Sequence, residues 1–351
     1  MQVCFMRKLD YSGAIREAMS QEMERDPRVF VYGIGVPTWS KIFNTTQGLV
    51  EKFGKERCFD TPISEDAMMG FGLGAAIRGL RPIHVHIRVD FMILATNQLL
   101  NMVSNYTYST GGKLKVPLVV RAVIGRGWGQ GAQHSKSLFS NFTHIPGLKV
   151  IAPTTPSDMK GMLTAAIRDD NPVICFEHRW LYWAEEDVPE EPYEIPLGVG
   201  RILRPGKDVT VVGLSWMNVE ARLAADILQK RGVSVEIIDP RTLAPLDENL
   251  IVESVKRTGR CIIADCDWVD SGFSAELSAR INEKCFGKLK APVKRIGFAH
   301  TPCPTVRELE NEFYPNAKTI VHAVEDMLGL EAANLDGEDF FSHERRFRGP
   351  F

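Results

Sequence analysis

The chain has 351 residues, of which 44% are hydrophobic and 25% charged. This composition is typical of a globular protein of about two domains and excludes a disordered, collagenous or coiled-coil chain. The 42 basic and 44 acidic residues nearly cancel, so neither nucleic acid nor a membrane surface is expected as a partner. Seven cysteines without a C-x-x-C pair, and no apolar stretch of about 18 residues, predict a cytoplasmic protein without disulfides, structural zinc or a membrane span.

Hydrophobic periodicity predicts alternating helices and strands in the first half of the chain. Helices are predicted at residues 11–26, 46–53, 68–79 and 91–104. Strands are predicted at residues 28–32, 58–59, 81–89, 117–123, 148–152 and 173–176. Strands that alternate with helices pair in parallel through crossover connections, which predicts an α/β fold.

Residues 185–205 are rich in proline and acidic residues, which is the composition of a linker rather than of a helix or strand. We therefore predict a first domain at residues 1–195, a second at 196–330 and a polar tail at 331–351. The second domain alternates again, with strands at 209–214, 233–238 and 261–264 and helices at 218–231 and 248–258. The predicted fold class is α/β, with two doubly wound domains.

Glu65 is the first candidate functional residue. It stands between a proline-containing turn and a helix of Met, Gly and Ala, an apolar setting of the kind in which carboxyl groups serve as acids and bases. Taken alone, a glutamate at this place is more often a simple helix N-terminal charge.

A polar row occupies the predicted strand that follows, where His84, His86 and Arg88 recur with period two. Such a row is usually a solvated strand face, and a His-x-His pair lacks an evident third metal ligand here. A further polar pair, Glu177 and His178, follows a buried strand, at the end where α/β folds place ligands.

Several segments, taken together and in order, resemble the β chain of thiamin diphosphate-dependent 2-oxoacid dehydrogenases. They are Thr61-Pro-Ile-Ser-Glu65, Ser109-Thr-Gly-Gly112, Gly131-Ala-Gln-His-Ser135, Ile145-Pro-Gly-Leu-Lys-Val150, Asp170-Asn-Pro172, Glu177-x-x-x-Leu-Tyr182, Ser271-Gly-Phe-Ser-Ala-Glu276 and Ala291-Pro-Val-Lys-Arg295. The resemblance runs from about residue 8 to residue 328. It implies a transketolase-type pyrimidine-binding domain followed by a transketolase C-terminal domain.

The resemblance also implies roles for four residues. Glu65 matches the family glutamate that exchanges a proton with the aminopyrimidine ring of the cofactor. Ile63 and Phe91 match positions beside that ring, where an aromatic face contributes about 1 kcal/mol beyond its burial. His134 matches the histidine that handles the substrate and the lipoyl group, and histidine can exchange protons at neutral pH.

The chain lacks the Gly-Asp-Gly and Asn-Asn segment that holds magnesium and diphosphate in this family. The resemblance therefore implies an α chain that supplies Mg²⁺ and diphosphate binding within an α₂β₂ heterotetramer, a lipoyl acyltransferase as a further partner, and a small 2-oxo acid as substrate. It also implies a potassium ion held by backbone carbonyls near Leu118, Ala166, Asp169 and Asn171.

Some positions depart from the family pattern on the substrate side, including Ile34, Gly35, Val85 and Lys136. These departures leave both pyruvate and branched-chain specificity open. Lys136, Arg126 and Arg88 would together suit an acidic or phosphorylated substrate, although three solvated charges are an equally good interpretation.

The leading hypothesis is the β subunit of a 2-oxoacid dehydrogenase that decarboxylates a 2-oxo acid and transfers the acyl group to a lipoyl carrier. A second hypothesis is the C-terminal half of a split transketolase, which moves ketol units between sugars. A third is a non-catalytic scaffold chain, against which the retention of Glu65, Phe91 and His134 argues.

Overall fold

The computed structural model describes residues 5–38, 42–125, 129–338 and 340. Arg126 and most of the predicted C-terminal tail lie outside these residues. The helices of the first half are α1 (Tyr11–Arg25), α2 (Leu49–Phe53), α3 (Glu65–Ile77), α4 (Val89–Met92), α5 (Tyr106–Ser109), α6 (Ser140–Thr143) and α7 (Pro156–Arg168). Its strands are β1 (Met6–Asp10), β2 (Val29–Tyr32), β3 (Cys58–Phe59), β4 (Arg81–His86), β5 (Val119–Ile124), β6 (Lys149–Ile151), β7 (Val173–His178) and β8 (Glu185–Pro189).

The second half continues the alternation. Its strands are β9 (Arg201–Arg204), β10 (Val209–Gly213), β11 (Val235–Asp239), β12 (Thr242–Ala244), β13 (Cys261–Trp268) and β14 (Lys294–Phe298). Its helices are α8 (Met217–Lys230), α9 (Glu248–Thr258), α10 (Phe273–Lys284), α11 (Arg307–Phe313) and α12 (Ala317–Leu328).

Two larger sheets organise the described residues. The first has the order β12-β6-β7-β5-β4-β2-β3 and is parallel except for β12, and the second has the order β14-β13-β10-β11-β9 and is parallel except for β9. Strands β2, β5, β7 and β10 are buried along their whole length, as expected for parallel sheets covered by helices. The predicted α/β class with two sheets is confirmed.

The interpretation of residues 185–205 as a plain linker is wrong. Strand β8 pairs antiparallel with β1, and β9 forms the edge of the second sheet beside β11. Proline-rich acidic segments can serve as edge strands because an edge strand needs hydrogen bonds on one side only. Strand β12 also crosses over from the second half to pair with β6, so the first sheet contains strands from both halves of the chain, whereas the second sheet contains strands from the second half alone.

The predicted helix at residues 91–104 is interrupted. After α4 the chain passes through a 3₁₀ turn (Ile93–Ala95) and a π-helical turn (Gln98–Val103). Such changes of helix type occur at functional sites, and here they follow α4, whose third residue, Phe91, lines a cavity described below. Sequence periodicity does not distinguish such short turns from an α-helix, because the 3₁₀ and π repeats each differ from the α-helical repeat by less than one residue per turn.

Candidate active site

A cavity of about 450 Å³ lies at the carboxyl end of β4, the edge at which open α/β sheets bind ligands. The N-terminus of α3, the turn that precedes it, the end of β4 and helix α4 form its walls. The lining residues are Ile34, Phe43, Thr61, Pro62, Ile63, Glu65, Met68, His84, Val85, His86, Ile87, Arg88, Phe91, Gln130 and His134. All four residues to which the resemblance assigns cofactor or catalytic roles are among them.

Glu65 is the first residue of α3 and is 9% exposed. Its carboxyl group forms no hydrogen bond or ion pair with any residue in the described ranges. Ile63 and Met68 line the same cavity. A carboxyl group in a cavity wall that lacks a partner in the described ranges is placed to exchange a proton with a ligand.

Phe91 and His134 meet on the other side of the cavity. Their ring centroids are 5.3 Å apart, with the rings inclined at 73°, an edge-to-face contact that stabilises both orientations. Phe91 is 39% exposed and Ile63 is 82% exposed. The structure thus brings Glu65, Ile63, Phe91 and His134 to one cavity with two apolar side chains that remain accessible.

The polar row on β4 is buried, so the prediction of a solvated strand face is wrong. His84 and His86 are 3% and 5% exposed, and their ring centroids are 4.2 Å apart. His84 also stacks on Tyr32, with centroids 4.4 Å apart. Burial lowers the pKa of His86 to about 4, and burial together with the neighbouring His86 lowers the pKa of His84 well below its usual value. Both imidazoles are therefore neutral at physiological pH.

Arg88 continues this row as the residue before α4, and it is 2% exposed. Its guanidinium donates one hydrogen bond to the Gly125 carbonyl at 2.7 Å and another to Oε1 of Gln130. Gly125 has a φ of +80°, and a Cβ there would lie 2.3 Å from Nε2 of His178. Only glycine therefore suits this close approach, which places the carbonyl that Arg88 binds.

Sequence reasoning missed Gln130, Arg179 and Phe43. Gln130 accepts a second hydrogen bond from Nη1 of Arg179 at 3.3 Å, and the Arg179 guanidinium lies 4.4 Å from the centroid of the Phe43 ring. Gln130 stands in the glycine-rich run before His134, so that run was the available signal. Phe43 carried no signal, because it reaches the cavity from a distant loop.

Glu177 does not form a ligand site. It and Arg121 are both fully buried, and Nη2 of Arg121 donates to Oε2 of Glu177 at 2.8 Å. The Tyr182 hydroxyl donates to the same oxygen at 3.0 Å. The carboxylate is thus satisfied from within the protein, and the spacing from Glu177 to Tyr182 places the tyrosine hydroxyl on the Glu177 carboxylate.

Lys136 also differs from a free surface charge. Its Nζ is 2.8 Å from Oδ1 of Asp90, which is itself buried. The other carboxylate oxygen of Asp90 has no hydrogen-bond partner in the described residues. Of the three basic residues considered for an acidic substrate, Arg88 lies in the cavity wall, Lys136 is paired, and Arg126 is outside the described residues.

The residues expected near a potassium ion lie together at the end of α7. Asp169 follows the helix, and its amide donates to the Ala166 carbonyl at 3.3 Å. Its carboxylate accepts hydrogen bonds from the Asn171 backbone and side-chain amides at 2.8 Å and 3.0 Å. The Leu118 carbonyl accepts from Val173 at 3.0 Å. Within the described ranges, no cluster of three or more His, Cys, Asp or Glu side chains could hold a metal ion.

Comparison with known proteins identifies both halves. The pattern described as "Transketolase, pyrimidine binding domain" matches residues 7–183, and "Transketolase, C-terminal domain" matches residues 198–320. The acetoin:2,6-dichlorophenolindophenol oxidoreductase subunit beta of Cupriavidus necator is 42% identical over 327 residues, covering 90% of this chain and 96% of the relative.

The chain belongs to the β-subunit family of thiamin diphosphate-dependent 2-oxoacid dehydrogenases. The pyruvate dehydrogenase E1 component subunit beta of Rickettsia felis is 40% identical over 311 residues, covering 89% of this chain and 95% of the relative. The 2-oxoisovalerate dehydrogenase subunit beta of Bacillus subtilis is 38% identical over 324 residues, covering 92% of this chain and 99% of the relative. The family predicted from the motifs is confirmed.

A solved structure has the same fold as this β-subunit family member. It is the "split gene transketolase, inactive beta4 tetramer", with a TM-score of 0.72, 24% identity and coverage of 91% of this chain and 97% of that chain. Among the described residues, the helices are too short or too polar to cross a membrane.

The cavity fits the pyrimidine half of thiamin diphosphate. A flat aminopyrimidine needs apolar contact on its faces and a carboxyl group at a ring nitrogen. Phe91 and Ile63 offer accessible apolar surface, and the Glu65 carboxyl has no partner among the described residues. No comparable cluster for a divalent ion accompanies them in the described part of the chain.

Proposed function

We propose that this chain is the β subunit of an enzyme that decarboxylates a 2-oxo acid and transfers the acyl group to a lipoyl carrier. The observation that carries the proposal is the Glu65 carboxyl, which has no partner in the described part of the chain and shares a cavity with Phe91 and His134. The dehydrogenase and oxidoreductase names of the relatives support it over a split transketolase. The solved split transketolase supports the fold only, because its identity is 24%.

When bound, thiamin diphosphate supplies a carbon nucleophile that attacks the 2-oxo group and stabilises the charge left by loss of carbon dioxide. Glu65 would hold a proton at the cofactor ring, and Phe91 and Ile63 would fix the plane of that ring. His134, oriented by its contact with Phe91, would donate a proton to the reacting oxygen or to the departing lipoyl sulfur. An imidazole carries both a donor and an acceptor nitrogen, so it can serve either transfer.

We also propose that the chain is active only with an α subunit, in an α₂β₂ heterotetramer served by a lipoyl acyltransferase. The α chain would bind the diphosphate and Mg²⁺. Two observations support the proposal that another chain completes the site. Ile63 and Phe91 are accessible at the cavity, and the sequence lacks the Gly-Asp-Gly and Asn-Asn segment that holds magnesium and diphosphate in the family. The beta-subunit names of the relatives are consistent with this assignment.

Replacement of Glu65 by glutamine tests the proposal. The amide cannot take up and release the proton, so we expect kcat to fall at least about 100-fold, as is typical when an acid-base group is lost. The measurement is decarboxylation of 2-oxo acids by the chain reconstituted with its α partner. Gel filtration should show that the complex still assembles.

Asp66→Asn is the matched control, because it makes the same chemical change one residue further along α3. Asp66 accepts a hydrogen bond from the Gln98 side chain at 3.2 Å and does not line the cavity. We expect this variant to retain near-wild-type turnover. Equal activities for Glu65→Gln and the wild type would remove Glu65 from the mechanism.

A further inference from the structure

The cofactor-binding assignment leaves one polar element of the cavity unexplained, namely the guanidinium of Arg88. In the described ranges its hydrogen bonds go to two neutral acceptors, the Gly125 carbonyl and Oε1 of Gln130. It forms no ion pair with a described carboxylate. The guanidinium has five N–H donors in a planar fork, so donors remain for a ligand.

Arg121 shows how this fold treats a buried guanidinium that has a structural role. Its fork is matched by both oxygens of Glu177, at 2.5 Å and 2.8 Å, and both side chains are fully buried. Burying a charge is costly unless an opposite charge and hydrogen bonds compensate. Arg88 is almost as deeply buried, yet it lacks this compensation within the described residues.

A second guanidinium shares an acceptor with Arg88. Arg179 donates to the same Oε1 of Gln130 as Arg88 does. Burial and the charge of Arg88 lower the pKa of Arg179 to about 9, which still leaves it protonated at neutral pH. Asp90, the carboxylate whose charge acts on Arg88, is engaged by Lys136 at 2.8 Å. The neighbouring His84 and His86 are neutral and add no negative charge.

We infer that Arg88, positioned by Gln130, is a specificity-determining residue that binds a second anionic group of the substrate, a carboxylate or phosphate at the end remote from the 2-oxo acid. This inference rests on the proposed function for the identity of the reaction. Arg88 lines the same cavity as Glu65 and His134, so a substrate that reacts there can also reach the guanidinium. A planar guanidinium binds such a group through two parallel hydrogen bonds.

The inference is tested by comparing the turnover of two five-carbon substrates that differ only in the remote group. They are 2-oxopentanoate, with a methyl terminus, and 2-oxoglutarate, with a carboxylate terminus. For the reconstituted complex we expect kcat/KM to favour 2-oxoglutarate by about 10- to 100-fold, the range of a charge-assisted hydrogen bond. Arg88→Met should abolish this ratio, and Arg88→Lys should restore part of it. A loss of equal size for both substrates would show that Arg88 binds the carboxylate common to all 2-oxo acids and would overturn the inference.

Calorimetry with unreactive probes separates this inference from the proposed function. Glutarate and 4-phosphonobutanoate should bind the complex more tightly than pentanoate, and Arg88→Met should remove the difference. If glutarate binds more tightly than 4-phosphonobutanoate, the remote group is a carboxylate. If 4-phosphonobutanoate binds more tightly, the remote group is a phosphate. If no 2-oxo acid is turned over but this binding pattern holds, the proposed function fails and the anion site stands. If all three probes bind alike, the anion site fails.

Thermal unfolding provides the structural control. Arg88→Met removes a charge that the described residues do not compensate, so the melting temperature should stay level or rise. Arg121→Met leaves Glu177 buried without its partner and should lower the melting temperature. A fall of similar size in both variants would show that Arg88 is a structural residue and would overturn the inference.

Discussion

At the scale of single residues, Asp239 shows how strongly burial acts on this chain. It ends β11 with no exposed surface, and its Oδ1 accepts a hydrogen bond from the Arg241 amide at 2.9 Å. Its Oδ2 has no hydrogen-bond partner in the described residues. Burial, with the negative charge of Asp158 nearby, raises the pKa of Asp239 to about 7.

The raised pKa predicts a pH dependence of stability. Between about pH 4, where an unfolded aspartate ionises, and about pH 7, the folded protein retains a proton that the unfolded chain releases. The contribution of Asp239 to the free energy of unfolding therefore decreases as pH rises through this interval, and the penalty is complete above it. Asp239→Asn should gain stability relative to the wild type by about 1.4 kcal/mol per pH unit across the interval.

Urea unfolding of both proteins from pH 4.5 to pH 7.5 measures this difference. Asp226→Asn is the control, since Asp226 is a largely exposed partner of Arg204. Parallel stability curves for Asp239→Asn and the wild type would contradict the prediction.

At the scale of elements, the C-terminal end of α7 predicts a potassium effect. The last carbonyls of a helix lack intrahelical partners and carry the negative end of its dipole. Arg81 donates to the Ile167 and Asp169 carbonyls at 2.9 Å and 3.0 Å. Each carbonyl oxygen can accept a second interaction, and carbonyl oxygens are ligands that suit K⁺. We propose that carbonyls near Leu118, Ala166, Asp169 and Asn171 hold this ion.

We therefore expect a higher melting temperature in potassium chloride than in choline chloride at equal ionic strength, because an ion that binds the folded state stabilises it. Sodium chloride is the control for a general salt effect. Identical melting temperatures in all three salts would exclude a potassium site.

The helices and strands also show which structural features a local sequence pattern is sufficient to predict. Helix α1 was predicted to within one residue, because Asp10 caps its start and the Asp26-Pro27 step ends it. Helix α7 begins with the equally clear pair Thr155 and Pro156, a signal that was present but not used. The edge strands β8 and β9 lacked a local signal, since their strand geometry depends on the pairing partners β1 and β11.

At the scale of the whole molecule, we expect this chain alone to bind thiamin diphosphate weakly. Its cavity offers Glu65 and accessible apolar side chains for the pyrimidine, whereas the sequence lacks the Gly-Asp-Gly and Asn-Asn segment that holds magnesium and diphosphate in the family. Calorimetric titration of the chain with and without its α partner, each in the presence of Mg²⁺, measures the difference. Tight magnesium-dependent binding by this chain alone would refute the half-site argument.

The sequence by itself determined the family, the α/β class and the residues Glu65, Ile63, Phe91 and His134 as members of one site. The α/β class follows from hydrophobic periodicity, which the chain carries locally. The family and the grouping of the four residues into one site are what the resemblance of the ordered motifs implies. Their catalytic roles remain a prediction that the variants above test.

The tertiary structure determined the burial and the interaction partners of each polar residue. Glu177 and Arg88 both looked like site residues with a free charge, but folding pairs Glu177 with Arg121 and leaves Arg88 facing the cavity. His84 and His86 looked solvated and are buried against Tyr32. Burial and charge pairing depend on residues far apart in the chain, such as Gln130 and Arg179 around Arg88, so local sequence cannot specify them.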